Sequence, residues 1–124
     1  MNIKELMVGD WVNLSKGNWS ENRQVELIDI EMIAESVYLA EPIPLTPEIL
    51  EKNGFIHGYG DSDFYDYEKW EKKVDDKTIR VIKDHGWFCR VDDNKLTRSM
   101  GIAPAVHTMQ NIIRIGGIDK TIEL

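Results

Sequence analysis

The sequence predicts an α+β fold, and three observations carry that expectation. Short alternating apolar runs separated by turn signals recur from Asp10 to Ala40 and again from Tyr67 to Val91, as antiparallel strands require. Two segments, one beginning at Pro47 and one at Pro104, open with helix-start chemistry and continue with helical apolar spacing. Between the two strand groups lies PIPLTPEILEKNGF, Pro42 to Phe55, where every local signal agrees on one short helix. The expected architecture is a small curved N-terminal antiparallel sheet of the Src-homology-3-like partial-barrel kind, a short capped helix, a three-stranded antiparallel meander and a C-terminal helix. These form one domain over residues 1–124, with sub-lobes 1–44, 45–54 and 55–124.

The bulk numbers set the frame. At 124 residues the chain suits one hydrophobic core, and 42% hydrophobic residues are too many for a disordered polymer. No apolar run is long enough to cross a bilayer, and the opening MNIKELMVGDWV lacks the basic-then-apolar order of a signal peptide, so a cytoplasmic protein without membrane partners is expected. Cys89 is the only cysteine, which excludes an internal disulfide and zinc sites built from cysteine clusters; it reads as a buried structural thiol. The net charge of -7 opposes binding driven by phosphate backbones. Lys69, Lys72, Lys73 and Lys77 alternate with Glu68, Glu71, Asp75 and Asp76, a mixture that reads as solvated surface.

Taken in order, Asn2 to Met7 fits either a helical turn or a strand lead-in, and Gly9-Asp10 is a turn signal. Asp10 to Leu14 is a short strand with Trp11 on one face and Val12 and Leu14 on the other. Ser15 to Asn22 reads as a polar loop in which Trp19 anchors against the core edge or stacks on a ligand. Arg23 to Ile33 changes phase midway: Val25 and Leu27 share one parity, Ile28, Ile30 and Met32 the other. A strand bent by a bulge near Leu27-Ile28 resolves that conflict. Ser36 to Ala40 is the third strand.

Pro42 and Pro44 hold Glu41 and Ile43 extended, Thr46 is an N-cap, and Pro47 stands at the first helical position, where no N–H is needed. Glu48 suits the positive end of the helix dipole. Leu45 reaches Leu50 in a hydrophobic staple, and Gly54 supplies the left-handed residue that lets Phe55 close back on Leu50.

His57 to Asp66 reads as a flexible surface loop. Its Asp61, Asp63 and Asp66 raise the question of a cation, but the EF-hand glycine and glutamate are missing from their places. Tyr67 to Val74 fits both helical and strand periods; the turn at Asp75-Asp76-Lys77 favours a strand, followed by Thr78 to Lys83 and Trp87 to Val91. Asp92 to Ala103 reads as an irregular loop. From Pro104 to Ile115, Ala105, Val106, Met109, Ile112 and Ile113 form the core-facing side of a helix. Opposite them His107, Gln110, Asn111 and Arg114 form a polar row, which is either an ordinary solvated face or a surface that reads a partner's polar groups. Gly116-Gly117 ends the helix, and Ile118 and Ile122 tie the tail down as an edge strand.

Motifs for catalysis are missing: there is no glycine-rich phosphate loop, no nucleophile elbow and no His pair at i, i+4 around a glutamate. His57, His85 and His107 stand in three separate segments. The blocks IKELMVGDWV, PIPLTPEILEKNGF and VHTMQNIIRIGGIDKTIEL together resemble a family of small uncharacterised proteins of gut Bacteroidetes and their prophages or mobile elements. The resemblance covers roughly a third of the chain and implies a single cytoplasmic α+β domain of bacterial or phage origin, with no assigned activity and no catalytic residues. The chain departs from the family's commoner pattern at Met109, where leucine is usual, and at Ile112 and Ile113, where an aromatic often follows the Gln-Asn pair.

The functional expectation is therefore a non-catalytic protein-interaction module that needs no cofactor or metal and binds a protein partner through His107, Gln110, Asn111 and Arg114, bordered by Trp19. Two alternatives stand beside it: a nucleic-acid-binding small barrel stacking bases on Trp11 or Trp19, and a small hydrolase that sets His57 or His85 beside an aspartate.

Overall fold

The structure, a computed structural model, describes residues 6–61, 66–94, 96–119 and 122–124. The described residues form an α+β fold with two antiparallel sheets and three helices, and the chain divides into two compact units. One comprises the chain up to Pro44 together with Ala105–His107; the other comprises Leu45–Pro104 and Thr108–Leu124.

In the first unit, strands β1 (Trp11–Lys16) and β2 (Trp19–Gln24) form a hairpin, and β3 (Leu39–Pro42) pairs with the other edge of β1. The expected polar loop is thus a tight turn, with Gly17 at φ 59, and Trp19 opens a strand. Val12 and Leu14, two residues apart and on one face, are fully buried with Leu6 and Val25 beneath Ile30, Ile33, Tyr38 and Ala40. Each such side chain contributes about 1.5–3 kcal/mol. Val106 N–H donates to the Ile43 carbonyl, which ties the Ala105–His107 segment into this unit.

The bent strand expected over Arg23 to Ile33 is instead a strand followed by a helix, α1 (Leu27–Ala34). Glu26 is extended, and its N–H donates to Asp29 Oδ2 at 2.9 Å, half of a capping box. Arg23 Nε lies 3.3 Å from the same oxygen, so the buried Asp29 carboxylate is paired. The phase change in the sequence therefore marks a change of period from two to 3.6 rather than a bulge. Ile30 and Ile33 turn inward, while Leu27 and Ile28 stay exposed. Ser36, at φ 62, ends the helix, with Val37 N–H donating back to Met32.

The second unit is built on a five-stranded meander in sequence order: β4 (Ile56–Asp61), β5 (Asp66–Val74), β6 (Lys77–Lys83), β7 (Trp87–Asp93) and β8 (Leu96–Ile102). The expected three central strands are present, and two segments read as loops extend the sheet on both sides. At β4, Gly60 lies under the ring of its cross-strand partner Tyr67. At β8, an irregularity opposite Val91/Asp92 absorbs the extra residue Arg98, which explains why no clean alternation is visible there. Asp75, His85 and Asn94 take left-handed conformations at the β5–β6, β6–β7 and β7–β8 turns.

Helix α2 (Pro47–Lys52) has the anticipated form: Thr46 Oγ1 accepts from Ile49 N–H, and Phe55 N–H donates to Leu50 O across Gly54 at φ 85. Leu45, Leu50 and Phe55 are all buried. Helix α3 (Val106–Ile115) lays its later turns on one face of the sheet, where Ser99 Oγ donates to Ile112 O at 2.6 Å. Gly117 at φ 87 closes it, and Ile118 N–H donates to Ile113 O. The tail is held by side-chain bonds to Asn53 rather than as an edge strand.

Candidate interaction surface

The polar row on α3 is not the solvated face that its spacing suggests. His107 and Gln110 are 3% and 4% exposed, and only Asn111 and Arg114 remain half-buried, joined by a 3.0 Å bond from Arg114 Nη1 to Asn111 Oδ1. Periodicity identifies the side of a helix that must be buried; it does not keep the other side in water. Trp19 lies in the first unit, partly exposed and tilted against Tyr38 with centroids 5.7 Å apart, as a loop anchor would pack.

The sheet of the second unit leaves apolar side chains exposed. Strand alternation divides its side chains between two faces. On one face Trp70, Val74, Ile79, Val81, Cys89 and Val91 are buried, and the later turns of α3 cover it at Ser99 and Gly101. Towards the far end of that face His57 stacks on Trp70 at 4.7 Å, and Trp87 tilts against Trp70 at 5.3 Å. Burial in this apolar layer pushes the Cys89 thiol up to about 12.

The opposite face is open. Cross-strand register sets Gly58, Lys69, Ile82, Phe88 and Ile102 in one row across all the strands, with Ile56, Glu71, Arg80, Arg90 and Met100 in the row beside it. Ile102 is 76% exposed and Met100 58%, while Ile82 and Phe88 are only partly covered. Two shallow cavities lie along the first row. One, of about 490 Å³, is walled by Tyr67, Ile82, Phe88 and Ile102 at the Asp84–Trp87 turn; the other, of about 570 Å³, is lined by Ile56, Gly58, Lys69, Glu71 and Lys73. Lys69 of the second cavity and Ile82 of the first are cross-strand partners.

Charges on this face are cross-linked. Glu71 takes Lys69 at 2.7 Å and Arg80 at 3.3 Å, and Asp92 takes Arg90 at 2.9 Å and Arg80 at 3.8 Å. The Lys69 hydrogen bond outweighs the cost of partial burial and, with the charge of Arg80, holds the Glu71 carboxyl below the usual glutamate range. Lys73 makes no ion pair among the described residues. The face thus carries surplus positive charge in a chain whose net charge is -7. One signal in the sequence could have found it: Ile82 and Phe88 break the alternation of their strands and make them apolar on both faces.

His85 Nδ1 lies 2.9 Å from Asp84 Oδ1 at the rim of the first cavity, but the imidazole is 98% exposed and its partner is merely the preceding residue. His57 lies 3.4 Å from Glu68, not beside an aspartate. No cluster of metal-ligating side chains occurs among the described residues; Asp63 and the side chains of Asp61 and Asp66 lie outside them. Among the described residues no helix is long and apolar enough to cross a membrane. No protein-family model, curated protein or solved structure matches the chain.

Proposed function

We propose that the chain is a non-catalytic protein-interaction module whose docking surface is the open face of the β4–β8 sheet. One observation carries this reading: a sheet already covered by a helix on one face keeps Ile102, Met100 and Ile56 mostly exposed on the other, around the half-covered Ile82 and Phe88. A one-sided antiparallel sheet normally turns polar residues to water, and an apolar patch rimmed by charge is the usual mark of a protein contact. The likeness of the three sequence blocks to small Bacteroidetes and prophage proteins belongs to the same proposal, and it supplies no catalytic residue that would favour an enzyme. The Src-homology-3-like description of the N-terminal sheet is proposed for the first unit alone, on the strength of its short strands.

Affinity purification from a host that carries the gene tests this, with wild-type bait compared against Ile102→Ser and Phe88→Lys baits that keep the native circular-dichroism spectrum. A partner retained by wild type and lost by both variants supports the assignment. Equal recovery by all three moves the surface elsewhere, and recovery of nothing above background removes the module reading.

A further inference from the structure

We infer that the occupant of the open face is an acidic segment of a partner protein followed directly by an apolar run, laid across the strands from β5 to β8. The inference rests on the interaction-module reading and goes beyond it by naming the chemistry of the partner.

Two properties of the row lead there. The first is order: Lys69, with Lys73 further along β5, stands at one end, and Ile82, Phe88 and Ile102 follow on successive strands. Strands lie about 4.8 Å apart, so the path from Lys69 to Ile102 is about 14 Å, the reach of four or five extended residues. One cavity lies at the cationic end of this path and the other at its apolar end, with the cross-strand pair Lys69 and Ile82 between their linings. The second is charge complementarity. Lys69, Arg80 and Arg90 share Glu71 and Asp92, Lys73 adds a fourth cation on the same face, and Asp84 stands only at the rim of the far cavity. Lys69 and Lys73 lie about 13 Å apart along β5, so successive carboxylates of an acidic run meet one cation without an ion pair and another already sharing its partner with Arg80. Lys69 then has its charge satisfied from above as well as from Glu71. The apolar end gives a phosphate backbone nothing to contact.

The direct test is a fluorescence-anisotropy titration of the full chain with labelled synthetic peptides. One carries a run of glutamates followed by leucine and phenylalanine; a second replaces the glutamates by lysines; a third replaces the apolar residues by serines. The first should bind and the other two should not. Ile102→Ser should weaken the first by about tenfold, the worth of one exposed apolar anchor becoming buried. Lys73→Glu should weaken it by about threefold or more, and added salt should shrink that difference. Both residues are exposed, so their substitution leaves the fold intact. A single-stranded oligonucleotide binding in place of the peptide overturns the inference in favour of phosphate recognition. Concentration-dependent dimerisation in sedimentation, abolished by Ile102→Ser, overturns it in favour of a second copy. If no peptide binds while the host partner is still lost with Ile102→Ser, the acidic-apolar assignment fails and the module reading survives; if neither is seen, both fail.

Discussion

Asn53 and Glu123 hold each other through a pair of hydrogen bonds: Asn53 Nδ2 donates to the Glu123 carbonyl and Glu123 N–H donates to Asn53 Oδ1, each at 2.7 Å. The second proton of the same amide goes to Ile49 O, so one side chain both caps the end of α2 and fixes the tail. Asn53→Ala should cost about 1–3 kcal/mol in urea unfolding, the net worth of bonds of this kind. Asn53→Asp should cost more, although it keeps an acceptor, because it sets a carboxylate against two carbonyls at the negative end of a helix. An aspartate variant as stable as wild type would contradict this geometry.

Leu50 is fully buried between Leu45 before the cap and Phe55 after it. Leu50→Ala should lower unfolding free energy by about 2–5 kcal/mol, transfer and cavity together. Denaturation by urea with unchanged slope is the measurement. A loss of only a few tenths would place this side chain at the surface.

That helix was legible and its neighbours less so, for reasons that lie in the residues. Thr46, Pro47, Gly54 and Phe55 fix their own backbone through bonds that close within the segment, so ten residues of sequence contain the whole cause. In α1 the same isoleucines suit strand and helix alike, and the deciding contact, Glu26 N–H to Asp29, is a capping pair that the apolar pattern obscures. Strand β8 reads Thr-Arg-Ser-Met-Gly and has no period of its own; it is a strand because β7 pairs with it. His107 and Gln110 show the same limit from the other side, since their enclosure is a tertiary fact that helical spacing cannot encode. For the interaction surface, the two-sided apolar character of Ile82 and Phe88 was present in the sequence, but the cationic end takes shape only once β5, β6 and β7 pair.

Two glycines separate rigid from yielding contacts. A Cβ on Gly116 would stand 2.7 Å from Val91 Cβ and from Ser99 Oγ, where α3 meets the sheet. Val91 is fully buried and cannot retreat, so Gly116→Ala should cost about 1–3 kcal/mol despite alanine's better helix propensity. A Cβ on Gly60 would fall 2.2 Å from the Tyr67 ring, but there the obstacle is the end of a mobile side chain. Gly60→Ala should therefore cost less than about 1 kcal/mol and show itself as a changed near-ultraviolet signal from the displaced ring. A larger loss at Gly60 than at Gly116 would reverse the assignment of which contact is rigid.

Cys89 offers a pH test of the sheet's covered face. Its thiol is buried, and desolvation raises its folded-state pKa to about 12, against about 8.5 in an unfolded chain. Between those values the unfolded state has lost the proton that the folded state keeps, so unfolding becomes progressively easier as pH rises. This contribution is fully present below about pH 8.5 and is spent as pH approaches 12. Replacement by alanine or serine removes this slope, and the two together separate it from other alkaline effects. In the native protein at neutral pH an aromatic disulfide reagent should find no reactive thiol, whereas in denaturant it should titrate one per chain. Rapid labelling of the folded protein would mean that the face under α3 opens to solvent.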